Sequence, residues 1–180
     1  MKHTTITIAG LLATATLGAT ATAGITYTYY GSYGGHDYYT TDISLEYYDA
    51  REAAEQLGIQ LGYESYLASI TDQAESDWVQ SISFDTMWIG LNDLDMDGEW
   101  TWDSGEAFDW SDWAPGEPNE NAGDENVVVM NWLNDGEYGW NDWKDLNRFA
   151  PALIEVAVPA PGAIALLTLA GLAGRRRRRA

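Results

Sequence analysis

The feature that most constrains this chain is the stretch from Asp103 to Asn126, which shows neither helical nor strand periodicity. It is rich in Gly, Pro, Asp and Asn, the residue types of turns, and it also contains two Trp residues. A compact domain seldom contains so long an irregular stretch unless that stretch has a function. The fold must therefore support a long loop from elements on both sides of it.

The segments around this loop predict an α+β fold. Apolar residues recur with helical spacing in two runs, one from Ser44 to Gly58 and one that Thr71 caps and that ends at Ile82. Their predicted buried faces are Leu45, Tyr48, Ala53, Ala54 and Leu57, and Ala74, Trp78, Val79 and Ile82. Apolar or alternating runs predict strands at 27–33, 87–91, 127–130 and 152–156, and a short strand or buried turn at 67–70. We predict two helices followed by irregular, mostly antiparallel sheets.

The two ends are typical of processing segments. The uncharged run before Ala21-Thr22-Ala23 predicts an export signal over residues 1–23. At the other end Val158-Pro159-Ala160-Pro161 precedes a short apolar run and the arginines 175–179. This arrangement resembles the bacterial PEP-type sorting signal that exosortases read, although the acidic residue of the usual Val-Pro-Glu-Pro is missing. We expect a domain at 24–157, a sorting or anchor segment at 158–180, and an exported, cell-surface or extracellular-matrix protein that meets a membrane only through that segment before processing.

The charge distribution excludes several partners. Between Asp37 and Glu155 there are 28 acidic residues against three basic ones, a formal charge of −25, while the whole chain carries −19. Such a field repels nucleic acid and anionic lipid and attracts divalent cations. The chain has no cysteine, so an exported domain of this size must fold without disulfides.

Oxygen donors crowd the long loop and the segment after it. They are Glu117, Asn119, Glu120, Asn121, Asp124, Glu125 and Asn126, followed by Asn141, Asp142 and Asp145. Calcium takes about six to eight oxygen ligands in irregular geometry, whereas zinc prefers thiolate and imidazole. His36 is the one histidine outside the predicted export signal, and we expect it to be a surface residue without an assigned role. The donor set therefore predicts a calcium site.

In order along the chain, the motifs resemble those of the C-type lectin domain, over roughly 38–156. The resemblance rests on Ala50-Arg51-Glu52-Ala53-Ala54, Leu67-Ala68-Ser69-Ile70, Trp88-Ile89-Gly90-Leu91, Glu117-Pro118-Asn119 and Trp140-Asn141-Asp142. It implies a C-type lectin-like fold with a calcium-binding loop and calcium-dependent carbohydrate binding. It also implies that Glu-Pro-Asn selects mannose-, fucose- or glucose-type sugars, where Gln-Pro-Asp selects galactose.

The resemblance also implies individual ligands. The sugar-binding calcium would be held by Glu117, Asn119, Asn141 and Asp142, with Asp124 or Glu125 as the intervening acid. An accessory calcium would lie near Asp93, Asp97, Glu120 and Glu125. The sugar would contact the four residues of the first set, and Trp143 is a candidate for stacking on it.

The family's two disulfides are absent here. The matching positions are Ala54 with Ile154, which suit packing, and Asn126 with Asp145, which border the predicted metal site. A missing disulfide typically costs about 2–5 kcal/mol, and a bound ion that stabilises only the folded state offsets a comparable amount. We expect calcium to stabilise the loops in addition to binding the sugar.

Other readings of the acidic residues are weaker. Asp93 to Gly98 matches the opening of an EF-hand loop, but Ser104 stands where its last ligand should be. The paired acids could serve a glycosidase, yet the many neighbouring amides favour a cation, and no Ser-His-Asp, Cys-His or phosphate-loop arrangement occurs. We predict a binding protein rather than an enzyme, with glycans or extracellular polysaccharide as partners. The alternative is a non-sugar adhesion or protein-interaction module with structural calcium.

Overall fold

A computed structural model describes residues 5–6, 24–119 and 123–158, so the predicted export signal (apart from Thr5–Ile6) and the sorting segment (apart from Val158) lie outside the described residues. The described chain has two helices and nine strands. In chain order they are β1 (Thr5–Ile6), β2 (Tyr27–Tyr33), β3 (His36–Thr41), α1 (Tyr47–Leu61), β4 (Glu64–Leu67), α2 (Gln73–Ile82), β5 (Met87–Asn92), β6 (Thr101–Trp102), β7 (Val127–Asn134), β8 (Glu137–Trp143) and β9 (Leu153–Ala157). The predicted α+β class is confirmed.

Helix α1 runs past its predicted end at Gly58. A Cβ at Gly58 would lie 2.7 Å from both the Ser65 Cβ and the Tyr63 carbonyl oxygen, so this glycine serves close packing inside the helix. The helix ends at Gly62, whose left-handed φ of 76° lets its N–H reach the Gly58 carbonyl. Its buried face contains Ala53, Ala54 and Leu57 as predicted, but Tyr48 is exposed.

The N-cap and the buried face of helix α2 differ from those predicted. Its N-cap is Asp72 rather than Thr71, because the Asp72 carboxylate accepts the Glu75 N–H at 2.8 Å. Ala74 is exposed, and the buried side chains include the polar Glu75 as well as Val79. Glu75 can be buried because its carboxylate accepts hydrogen bonds from the Tyr38 hydroxyl and from the Thr71 N–H, the latter at 2.8 Å.

The strands form two antiparallel sheets. One has the order β1-β2-β3-β9-β4 and the other the order β6-β5-β7-β8. The predicted strands in 27–33, 87–91, 127–130 and 152–156 are present, but β8 was not predicted. It pairs with β7 through a turn at Asp135 and Gly136, both with positive φ, and this register places Asn141 opposite Val129 and Asp142 opposite Val128.

The core replaces the missing disulfides by packing and hydrogen bonds. Ala54 and Ile154 are fully buried in the same cluster, between α1 and the five-stranded sheet. Asp145 accepts a hydrogen bond from the Tyr48 hydroxyl at 2.9 Å, and the Asn126 carbonyl accepts one from the Asp93 N–H at 3.1 Å. Both pairs of positions are therefore joined to neighbouring elements without sulfur.

Within the described ranges, neither helix is long and apolar enough to cross a membrane.

Candidate calcium and carbohydrate site

Strand β8 holds the long loop against the four-stranded sheet. The Ala114 N–H donates to the Trp140 carbonyl at 2.9 Å, and the Trp140 N–H donates to the Asp112 carbonyl at 2.6 Å. The two backbones approach so closely at Gly139 that a Cβ there would lie 2.4 Å from the Ala114 nitrogen. The residues just after Ala114 are thereby fixed beside those just after Trp140. The role of Gly139 was not predicted, because a glycine signals a close backbone approach only within a recognised strand and β8 was not predicted.

The two predicted motifs meet across this contact. The Asn119 N–H donates to both carboxylate oxygens of Asp142, at 3.1 and 3.0 Å. The Asn141 amide donates to Glu117 Oε1 at 3.0 Å, and the Asn119 amide donates to Glu117 Oε2. The Glu117–Pro118 peptide bond is cis. The structure thus brings together the four residues assigned to the sugar-binding calcium.

The carboxylates of this cluster repel one another. Partial burial, followed by the nearby Asp142 and Glu125 carboxyl groups, raises the pKa of Glu117 to about 7. Asp142 is fully buried and Glu125 is only 5% exposed, so little water screens this repulsion. An arrangement that makes a carboxylate hold its proton near neutral pH favours replacement of that proton by a cation.

The structure distinguishes the two candidates for the intervening acid. Glu125 is buried and close enough to Glu117 to raise its pKa, whereas Asp124 is exposed, in a left-handed turn with φ of 53°. Glu125 is therefore the acid that the fold brings to the Glu117 cluster. Glu120 lies outside the described residues.

The predicted accessory site is centred on Asp93. This residue is 2% exposed, and its Oδ2 accepts the Gly98 N–H at 2.8 Å while its Oδ1 is buried with no hydrogen-bond partner among the described residues. Burial raises the pKa of Asp93, with contributions from Asp97, which is exposed, and from Asp142. The turn at 94–98 connects strands β5 and β6. An EF-hand loop has a helix on each side, so this turn is not an EF-hand.

The two tryptophans of the second motif have different surroundings. Trp140 is buried against the rings of Trp102 and Trp113, so it is a packing residue. Trp143 is half-buried, its ring centroid lies 5.4 Å from that of Trp88, and the Arg148 guanidinium carbon lies 5.4 Å above its ring. Any stacking of a sugar on Trp143 must use the area that Arg148 leaves open.

Two polar residues outside the predicted ligand sets have partners in the structure. His36 is not an idle surface residue, because its Nδ1 contacts the carboxylate of the buried Glu155. Asp112, an acid of the long loop, accepts a hydrogen bond from the Ser76 hydroxyl at 3.0 Å, and burial raises its pKa.

The donor chemistry fits calcium. In the part of the chain that the structure describes, no three Asp, Glu or His side chains could hold a metal ion by themselves. An ion beside Glu117 would therefore also need amide oxygens from Asn119 and Asn141, and rotation of each amide about χ2 exchanges its nitrogen for its oxygen. Mixed carboxylate and amide ligands are those that calcium prefers.

An α+β domain of two antiparallel sheets, with a long loop that faces the end of a strand through acids and amides, defines the class of C-type lectin-like domains. The chain belongs to this family: the model of the lectin C-type domain matches residues 46–149.

Among similar proteins, ladderlectin of Oncorhynchus mykiss is 36% identical over 108 residues, which cover 57% of this chain and 55% of ladderlectin. Lectin BRA-3 of Megabalanus rosa is 33% identical over 117 residues, covering 64% of this chain and 68% of that lectin. The carbohydrate-recognition domain of cow CD23, solved in the presence of a GlcNAc2Man3 oligosaccharide, superposes with a TM-score of 0.60 at 30% identity. That match covers 71% of this chain and 92% of the CD23 chain. This chain thus spans about half the length of ladderlectin.

Proposed function

We propose that this protein is an exported, surface-associated lectin that binds mannose-, fucose- or glucose-type glycans through calcium. Domains of its family bind carbohydrates, often with calcium, and are generally not enzymes. The ladderlectin and BRA-3 matches and the CD23 structure with its mannose-containing oligosaccharide support this proposal. Export and surface attachment rest on the sequence of the two ends alone.

One observation carries the proposal. Glu117 and Asn119 on the loop are hydrogen-bonded to Asn141 and Asp142 on β8, so two carboxylates and two amides converge although the motifs lie more than twenty residues apart. This set contains both acceptors and donors at one point of the surface, with Asn119 exposed and Glu117 partly exposed. Vicinal hydroxyl groups of a hexose need such a paired set of acceptors and donors.

The residues have separable tasks in this proposal. Calcium, when bound, would supply a positive charge that polarises the sugar hydroxyls. Glu117 would accept a hydrogen bond from a hydroxyl, and the Asn119 and Asn141 amides would donate to hydroxyl oxygens. Asp142 would keep Asn119 in position through the backbone contacts already present. No covalent step is required.

The experiment is a glycan array probed with the full-length chain, in calcium and in excess EGTA. We expect binding to mannose-type glycans that EGTA abolishes. The Glu117→Gln/Asn119→Asp double variant should lose these glycans and gain galactose-type ones, because it reverses the order of acceptor and donor. Asp109→Asn, an exposed acid of the same loop, is the matched control and should bind like the wild type.

Two results would contradict the proposal. Unchanged mannose binding by the double variant would show that the glycan does not bind at Glu117 and Asn119. Calcium binding without affinity for any glycan would instead identify a non-sugar interaction module with structural calcium.

A further inference from the structure

Three basic residues lie among the 28 acidic ones between residues 37 and 155, and they differ in what balances their charge. The Arg51 guanidinium is 3.0 Å from Asp103 Oδ1, so a nearly buried carboxylate neutralises it. Lys144 and Arg148, which both follow the second motif of the candidate site, form no ion pair with any residue that the structure describes. In so acidic a domain, two unpaired cations in one short segment require an explanation.

Arg148 lies against an aromatic ring instead of a carboxylate. Its guanidinium carbon is 5.4 Å from the centroid of the Trp143 ring. The nearest acid in the chain, Asp145, accepts a hydrogen bond from a tyrosine hydroxyl of α1, and Glu46 accepts the N–H of Asn147 at 3.0 Å. The Arg148 side chain is exposed, and a guanidinium that stacks on a ring keeps the N–H donors at its edge free for a planar acceptor.

Trp143 connects Arg148 to the candidate site. It lies on the same face of β8 as Asn141, whose amide donates to Glu117 Oε1 at 3.0 Å. Residues i and i+2 of a strand are about 7 Å apart, so the two side chains are neighbours on that face. The Trp143 ring also contacts the half-buried ring of Trp132, with 5.4 Å between the centroids. A glycan that is bound at Glu117 and extends over these rings therefore meets the Arg148 guanidinium.

The chemistry of this guanidinium favours an acidic sugar. A carboxylate accepts two charge-assisted hydrogen bonds from a guanidinium, whereas a neutral sugar offers hydroxyl groups that bind it more weakly. The negative charge of the rest of the domain acts at longer range and is screened beyond about 8 Å at physiological ionic strength. A carboxylate beside Arg148 is thus attracted locally, although the domain as a whole is acidic.

We infer that Arg148 gives the site a preference for acidic glycans, in which a uronic acid unit lies over Trp143 next to the hexose bound at Glu117. This inference rests on the proposed function and names the substrate class of the same site. Arg148 contacts the carboxylate, and Lys144, which directly follows Trp143, adds positive charge nearby.

The test compares matched neutral and acidic glycans on the full-length chain in calcium. An array of mannose- and glucose-type oligosaccharides would present each one with and without a uronic acid unit. Cellobiose and cellobiouronic acid, which differ in the oxidation of one hydroxymethyl group to a carboxylate, would then be titrated by calorimetry. We expect the acidic member to bind about tenfold more tightly, a difference of about 1.4 kcal/mol. Higher ionic strength should reduce this preference and leave binding of the neutral member unchanged.

Three variants assign the preference to Arg148. Arg148→Gln should bind acidic and neutral members equally, with the affinity of the wild type for the neutral one. Arg148→Lys should retain part of the preference, because it keeps the charge but loses the bidentate geometry. Gln60→Glu, at an exposed position of α1, lowers the net charge by one as Arg148→Gln does, and it should behave like the wild type.

The possible failures are distinguishable. Equal binding of acidic and neutral glycans by the wild type would overturn this inference and leave the proposed function standing. A preference that persists in Arg148→Gln, or that Gln60→Glu abolishes equally, would also overturn it. Absence of binding to any glycan, acidic or neutral, would overturn the proposed function and this inference with it.

Discussion

Replacing Gly139 with alanine should detach the loop that carries Glu117 from strand β8. The added Cβ would lie 2.4 Å from the Ala114 nitrogen, 2.6 Å from the Ala114 Cα and 2.8 Å from the Asp112 carbonyl oxygen. All three are backbone atoms, so no side-chain rotation relieves the overlap. The loop must instead move away from β8 by about 1 Å to restore ordinary contacts.

The energetic cost follows from this displacement. It would stretch the two backbone hydrogen bonds between Trp140 and the loop, now 2.9 and 2.6 Å, beyond the range of hydrogen-bond geometry. Each is worth about 1 kcal/mol, and the residual overpacking costs about 1–3 kcal/mol. We expect a loss of about 3 kcal/mol in the free energy of unfolding, or about 10 °C in melting temperature for a domain of this size.

The assay is thermal unfolding of the full chain with and without calcium, combined with a calcium titration. Calcium affinity should fall about tenfold, because ligands displaced by about 1 Å no longer converge. Gly24→Ala is the control, since nothing lies within 4 Å of a Cβ there. A Gly139→Ala protein that melts within about 2 °C of the wild type would refute the reasoning, because the expected shift is several times larger.

Three further predictions concern single groups. Calcium at about a hundred times its dissociation constant should stabilise the wild type by about 2.7 kcal/mol and Glu117→Gln far less; equal shifts in melting temperature would contradict this. In EGTA the pKa of Glu117, about 7 against 4.5 for a free glutamate, favours the protonated folded state. The stability of the wild type relative to Glu117→Gln should therefore be greatest below about pH 4.5 and should decline as pH rises through about 7; a pH-independent difference would disprove it. Glu75→Ala should cost about 2–3 kcal/mol in urea denaturation, because the Tyr38 hydroxyl and the Thr71 N–H lose their acceptor, whereas the exposed Gln73→Ala should be nearly neutral.

Helix α2 could be located from the spacing of its apolar residues, but its buried polar contacts could not be predicted. Helical spacing located the helix to within a residue, but it assigned the buried face to Ala74 instead of Glu75. A carboxylate is buried only when donors come to it, and the Tyr38 hydroxyl comes from β3, far away in sequence. Periodicity reports the spacing of apolar residues and contains no information about such a partner.

The sequence by itself determined the α+β class, the approximate positions of both helices and most strands, and the two motifs that identify the candidate site. These follow from periodicity and from donor types, which are local properties of the chain. Only the tertiary structure decided that residues 137–143 form β8, that Glu125 rather than Asp124 joins Glu117, and that Asn119 donates to Asp142. The contact between Asn119 and Asp142 depends on the pairing of β8 with β7 and on the close approach permitted at Gly139, which bring together residues that are distant in the chain. The choice of Glu125 depends on which of two neighbouring acids the fold buries, which the spacing of residues along the chain does not report.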